Sequence, residues 1–186
     1  MAIPLPAGVA TTLEARLARL RAAHPQARWS ALAQAHLTLV FLGDTRAVVV
    51  PAVIEAVTRA AAVRPPFHVA LHGAGSFGGR GRPLVAWLGI GAGAAELTAL
   101  AADIRGRLVT LPGLAHLAAA GEMRPHLTVA RRAPASLAPL LRQAFADEGP
   151  SWTIDALVVM RSHLGREGAR HELLATVPLA GFPPSP

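Results

Sequence analysis

The tripeptide His36-Leu37-Thr38, which runs on as Leu39-Val40-Phe41, returns 90 residues later as His126-Leu127-Thr128, followed by Val129 and Ala130. Apolar runs of this kind read as β-strands. Side chains alternate faces along a strand, so His36 and Thr38 are expected on one face and Leu37, Leu39 and Phe41 on the other. The second copy repeats the pattern, with Leu127 and Val129 behind His126 and Thr128. A strand that buries alternate apolar residues while presenting an imidazole beside a hydroxyl is suited to proton transfer next to an anion. Two copies, half a chain apart, predict one site with an acid and a base.

The flanking sequence is duplicated too. Val9, Leu13, Leu17 and Leu20 recur at helical spacing ahead of the first copy, with Thr11 and Glu14 placed as a capping box. Leu97, Leu100, Ile104 and Leu108 do the same ahead of the second, between Gly93 and Pro112. After the first copy we expect a helix over about 47–62, then strands 67–72 and 84–90 around a glycine-rich turn. After the second we expect a helix over about 135–146, then strands 152–160 and 171–177 around a turn at Gly165 and Gly168. Each half therefore reads helix, His-Leu-Thr strand, helix, strand, turn, strand.

Composition allows this plan. With 186 residues, 52% of them hydrophobic, the chain is one large domain or two closely packed lobes that bury a core unaided. Without cysteine there are no disulfides and no thiolate metal sites. No apolar run approaches the roughly 20 residues needed to span a bilayer, and the N-terminus lacks the charged region of a signal peptide. The expectation is a cytoplasmic protein with no membrane association. The net charge of +7 and pI of 11.7 point to a polyanionic partner. All 18 basic residues are arginine, however, a bias that base composition of the genome also produces. No basic run with interleaved aromatics marks a dedicated nucleic-acid motif.

Two histidines without neighbouring carboxylates make a poor metal site, because ligating imidazoles need a third ligand and an oriented second nitrogen. No His-Glu-x-x-His spacing and no Gly-x-Ser-x-Gly elbow is present. Two neutral-range imidazoles can instead attack a phosphodiester in concert, one taking a proton from the nucleophile and one giving a proton to the leaving oxygen. Adjacent threonine hydroxyls can donate to the non-bridging oxygens, where charge collects. No metal and no cofactor is expected.

His36-Leu37-Thr38-Leu39-Val40-Phe41-Leu42-Gly43 and Pro125-His126-Leu127-Thr128-Val129-Ala130-Arg131 resemble the paired HxTx motifs of the two-histidine phosphoesterase superfamily. The chain as a whole is similar to its RNA 2′,3′-cyclic phosphodiesterases, also called 2′-5′ RNA ligase-like proteins. Further likenesses are the stretches at 2–6, 28–29, 83–89 and 161–165. The resemblance implies an α+β fold: a bilobal, duplicated, pseudo-twofold arrangement of two antiparallel sheets flanked by helices around a central cleft, with residues 1–186 as a single domain. It also implies metal-free hydrolysis of RNA or tRNA-fragment ends carrying a 2′,3′-cyclic phosphate, giving a 2′-phosphomonoester, with 2′-5′ ligation as a side activity and no obligate protein partner. The family pattern makes His36 the proton donor and His126 the proton acceptor, with Thr38 and Thr128 holding the phosphate.

Three departures accompany the likeness. The sequence opens at Met1-Ala2-Ile3, where relatives usually carry a few more residues of the first strand, so that strand is expected to be shortened at an edge. His171 stands where relatives often carry tyrosine. Strict alternation from His126 puts Arg132 on the site face, whereas the pattern HxTxxR picks Arg131, which a one-residue bulge would allow; Arg131 is the preferred phosphate contact and Arg132 the second. His68 and His72 read as exposed strand positions, and Trp29, Trp87 and Trp152 as core. The glycine-rich 73–81 stretch reads as a turn beside the cleft, with Arg80 and Arg82 as outer RNA contacts. Two other readings stay open: a phosphodiesterase for a small cyclic nucleotide-like substrate, and a non-catalytic RNA-end binder.

Overall fold

The computed structural model describes residues 1–79, 82–165 and 168–181. Its strands in chain order are β1 (Ala2–Pro4), β2 (Arg28–Trp29), β3 (His36–Thr38), β4 (Phe67–Gly79), β5 (Arg82–Ile90), β6 (His126–Ala133), β7 (Ser151–Ile154), β8 (Ala156–Gly165) and β9 (Gly168–Pro178). The α-helices are α1 (Ala7–Ala23), α2 (Val50–Ala61), α3 (Ala94–Leu108) and α4 (Leu137–Ala144). The strands pair in the order β7-β4-β5-β6-β3-β1-β8-β9, with β2 added on β6. Every pairing is antiparallel.

This order is the expected α+β duplication with its hairpins exchanged. The β4–β5 hairpin of the first half lies against β6, which carries the second tripeptide. The β8–β9 hairpin of the second half lies against β1, which in turn pairs with β3 and the first tripeptide. The β3–β6 pair joins the two sides into one antiparallel path. At its end, β7 runs through Asp155 into β8 on the opposite flank, so the chain ties the two flanks together and the sheet curls.

Helices cover the sheet with the apolar stripes read from the sequence. Leu13 and Leu17 of α1, Leu97, Leu100, Ile104 and Leu108 of α3, and Leu137 and Leu141 of α4 are fully buried. Each such side chain contributes roughly 1.5–3 kcal/mol relative to exposure. The second and fourth helices are shorter than expected, and a 3₁₀ turn (Ala47–Val49) leads into α2.

Three expectations need correction. The capping box does not form: the helix begins at Ala7, directly after Pro6, which is extended (φ −60°, ψ 145°), so Thr11 and Glu14 fall inside it. There the Thr11 hydroxyl donates to the Ala7 carbonyl at 3.1 Å and Glu14 pairs with Arg21 at 3.0 Å. Second, β1 is not an edge strand. Ala2 and Ile3 are 2% and 3% exposed, because β3 pairs on one side and β8 on the other. Third, the glycine-rich stretch does not turn at Gly73 but continues β4 to Gly79, paired with β5. Arg80 and the side chain of Arg82 lie outside the described residues. Gly165 and Gly168 pair across the β8–β9 hairpin.

Candidate active site on the β3–β6 pair

Leu37 faces Leu127 across the β3–β6 ladder. In an antiparallel pair that register sets His36 opposite Thr128 and Thr38 opposite His126, each facing pair on the same side of the sheet. Both leucines are fully buried, so the other four residues share the opposite, partly exposed face. The two histidines then occupy a diagonal, for which residues stand about 7–8 Å apart and their Cβ atoms somewhat less. The spacing leaves room for a tetrahedral group between two imidazoles.

Each histidine is oriented in the same way. His126 Nδ1–H donates to the Arg124 carbonyl at 2.7 Å, and His36 Nδ1–H donates to the Gln34 carbonyl at 3.3 Å, in both cases two residues back along the chain. A carbonyl only accepts, so Nδ1 carries the hydrogen and Nε2 is left to exchange protons. Burial lowers the proton affinity of His36 below the ordinary imidazole value. The Gln34 carbonyl opposes this, while the positive charges of His171 and Arg131 add to the lowering.

After the tripeptide each strand bulges. In β6, Trp87 faces Thr128 and Ala86 faces Ala130, leaving Val129 as the extra residue. In the first copy, the N–H groups of Leu39 and Val40 both reach the Met1 carbonyl, at 3.0 and 3.4 Å. The extra residue reverses the alternation. Leu39–Val40 and Val129–Ala130 are buried as pairs, and the next residues, Phe41 and Arg131, are exposed. Phe41 therefore does not join Leu37 and Leu39 in the core, contrary to strict alternation. The same shift puts Arg131 on the face of His126 and Thr128. Arg132 is the extra residue of a second bulge, with φ 50°.

The two hairpins each bring a ring against one histidine. On one side, Phe77 and Trp87 lie 4.9 and 6.1 Å from His126, centroid to centroid. Trp87 is thus a neighbour of the site rather than a core residue, whereas Trp152 is buried and Trp29 packs against the core. The indole lies over Gly75, where a Cβ would run into its six-membered ring, and the Arg124 guanidinium sits 5.7 Å from the ring on which it packs. On the other side, His171 meets His36 edge to face at 4.8 Å, and its Nδ1 is 3.0 Å from the Ser162 hydroxyl. A hollow of about 410 Å³ opens beside His36 and Thr38, and a smaller one of about 240 Å³ lies between His36, His171 and Gln34.

Sequence reasoning passed over Gln34, Arg124 and Phe77, and misplaced Trp87. The first two act through their carbonyls, which every residue has, so no residue type marks them. For Trp87 a signal existed: a glycine inside a strand, Gly75, leaves space for a large ring on the partner strand. His68 and His72 are exposed, as expected, and among the described residues no three of His, Asp and Glu gather as metal ligands. No helix among the described residues is long and apolar enough to cross a membrane.

A curled antiparallel α+β fold with two His-x-Thr strands paired about a twofold defines the class of protein. The chain belongs to the 2′-5′ RNA ligase superfamily, whose model matches residues 9–166. It is 33% identical over 150 residues to an Aeropyrum pernix protein named RNA 2′,3′-cyclic phosphodiesterase, covering 78% of this chain and 82% of that one. A protein of the same name from Thermus thermophilus is 32% identical over 152 residues, covering 80% and 73%. Among solved structures, E. coli LigT in apo form matches with a TM-score of 0.72 at 26% identity, over 96% of this chain and 95% of that one.

Proposed function

We propose that the protein hydrolyses RNA ends bearing a 2′,3′-cyclic phosphate to 2′-phosphomonoesters, by acid–base catalysis between His36 and His126 and without a metal. The observation that carries this reading is the β3–β6 register, which sets each histidine across from the other motif's threonine on one exposed face. The relatives named RNA 2′,3′-cyclic phosphodiesterase support the substrate class. E. coli LigT, solved with phosphate and with 3′-AMP at 26% identity, is consistent with it.

In this mechanism His126 Nε2 takes a proton from water as the water oxygen attacks phosphorus. The P–O3′ bond breaks opposite the incoming oxygen, and His36 Nε2–H delivers its proton to O3′. The diagonal placement suits this, because acid and base must lie on opposite sides of the phosphorus. Thr38 and Thr128 donate to the non-bridging oxygens, and Arg131 offsets their charge. The lowered proton affinity of His36 makes it a readier donor. With an RNA 5′-hydroxyl in place of water, the same steps would form a 2′-5′ linkage.

The test is turnover of a short RNA with a 2′,3′-cyclic end in the presence of EDTA, with the product isomer identified. Formation of the 2′-phosphomonoester end at an undiminished rate is expected. A 3′-phosphate product, or a rate that disappears with EDTA and returns with a divalent ion, overturns the reading.

A further inference from the structure

The short strand β2 pairs with β6 just past the second tripeptide, Arg28 opposite Arg131 and Trp29 opposite Ala130. Residues directly opposite in an antiparallel pair share a face of the sheet. Trp29 accordingly packs on the core side with buried Ala130, and exposed Arg28 stands on the site side with Arg131. Like charges so placed destabilise the pair. Among the described residues neither guanidinium forms an ion pair, whereas Arg21, Arg64, Arg107 and Arg161 each meet a carboxylate. Nor is β2 free to carry Arg28 away. Ser30 N–H donates to the Val129 carbonyl at 2.9 Å, Arg21 donates to the Ser30 carbonyl at 2.9 Å, and the Trp29 indole donates to the His24 carbonyl at 3.1 Å. Two guanidiniums held side by side without a counter-charge make a seat for an anion.

Position says which anion. With β5 on one edge of β6, β3 and β2 pair in turn with the other, so the facing rows run Thr38–His126, His36–Thr128 and then Arg28–Arg131. The arginine row therefore lies beyond the proton donor, His36. In a 2′,3′-cyclic phosphate the leaving O3′ belongs to the terminal ribose, so that ribose lies on the donor's side and the chain 5′ of it continues from there. We propose that Arg28 binds the phosphodiester joining the terminal nucleotide to the one before it, with Arg131 between that phosphate and the cyclic one. The proposal rests on the cyclic-phosphodiesterase reading and deepens it, because the internal phosphate is the charge that an RNA end has and a cyclic mononucleotide lacks. The site is thereby selective for chains of at least two nucleotides.

The experiment uses three substrates with a 2′,3′-cyclic end: a dinucleotide with its phosphodiester, the same dinucleotide with an uncharged methylphosphonate link, and a cyclic mononucleotide. Both dinucleotides carry 2′-deoxyribose at the first position, which keeps the neutral link stable. Wild type, Arg28→Ala and Arg28→Lys are assayed, with folding checked by circular dichroism. A contact between an exposed guanidinium and a phosphate corresponds to about a 5- to 15-fold effect. The wild type should favour the charged dinucleotide over the neutral one in kcat/KM by a factor in that range. Arg28→Ala should erase that preference by lowering kcat/KM on the charged dinucleotide alone, and Arg28→Lys should keep part of it. Because Arg28 stands opposite a like charge, Arg28→Ala should also leave the melting temperature unchanged or raised, where loss of a structural contact lowers it. An Arg28→Ala loss equal on all three substrates, or a wild type indifferent to the internal charge, overturns the proposal while leaving the hydrolase reading intact. A folded wild type that turns over none of the substrates removes both.

Discussion

Leu37 and Leu127 stand directly opposite each other on adjacent antiparallel strands, both fully buried, and the pseudo-twofold axis passes between them. They are the pivot of the site, since their register decides which histidine faces which threonine. A slip of one residue would carry all four to the core side. Leu37→Ala and Leu127→Ala are each expected to destabilise the fold by about 2–5 kcal/mol, read from chemical denaturation. A loss below about 1 kcal/mol in both would show that the pair does not anchor the register.

The histidines should behave differently. Both are partly exposed and neither fills the core, so His36→Ala and His126→Ala should leave the melting temperature close to that of the parent protein. Each should lower the rate of the chemical step by roughly 10²–10⁴-fold, equivalent to about 3–5 kcal/mol of barrier. Single-turnover kinetics with the cyclic-ended RNA measures this. Near-normal turnover in either variant is incompatible with the assigned roles.

Proton affinity offers a separate handle. His36 is held below the ordinary value by burial first, with the positive charge of His171 contributing. An NMR titration should place its midpoint below the unperturbed value of about 6.5. His171→Phe keeps a ring against His36 but removes a charge that disfavours its protonation, so the midpoint should move up. Because the donor must carry its proton, that variant should also keep more of its kcat/KM than the wild type as pH rises above the midpoint of His36. A downward or absent change in the midpoint contradicts the charge account.

Arg131 and Arg132 separate cleanly by variant. Arg131→Ala should raise KM for RNA and flatten its salt dependence, as loss of a phosphate contact does. Arg132 sits at φ 50°, where a side chain is strained by roughly 1–2 kcal/mol, so Arg132→Gly should be neutral or stabilising and catalytically mild. The reverse ranking in KM would return the phosphate contact to Arg132.

Gly75 tests the packing behind His126. A methyl group there collides with the Trp87 indole, which must move or tilt toward the site. Gly75→Ala is expected to cost about 1–3 kcal/mol in stability, measured by thermal melting, and to lower kcat. Gly8→Ala, in helix α1 with open space around it, is the control and should stabilise slightly.

Much of the molecule was legible from residues alone. Helices α1 and α3 declare themselves through Leu13, Leu17, Leu97, Leu100 and Ile104, because a 3.6-residue repeat of apolar side chains is a local pattern that survives packing. The histidine–threonine quartet was readable for the same reason: three consecutive strand residues fix their own faces. Local signals failed where another element intervened. The capping box at Thr11 and Glu14 failed because the helix already begins at Ala7, and the glycines of β4 suggested a turn although one of them, Gly75, accommodates the Trp87 ring of a different strand.

By itself the amino-acid sequence determined the duplication, the paired tripeptides and the residue types capable of acid–base chemistry, since all of these follow from order and periodicity along the chain. Only the tertiary structure decided how the halves combine. Strand pairing is a long-range choice, and it exchanged the hairpins so that β4–β5 supports His126 and β8–β9 brings His171 to His36. It also decided which side chains follow the motifs into the site. A bulge depends on the partner strand as well as on its own residues, and one extra residue in each ladder turned Arg131 and Phe41 outward where alternation alone would have hidden both.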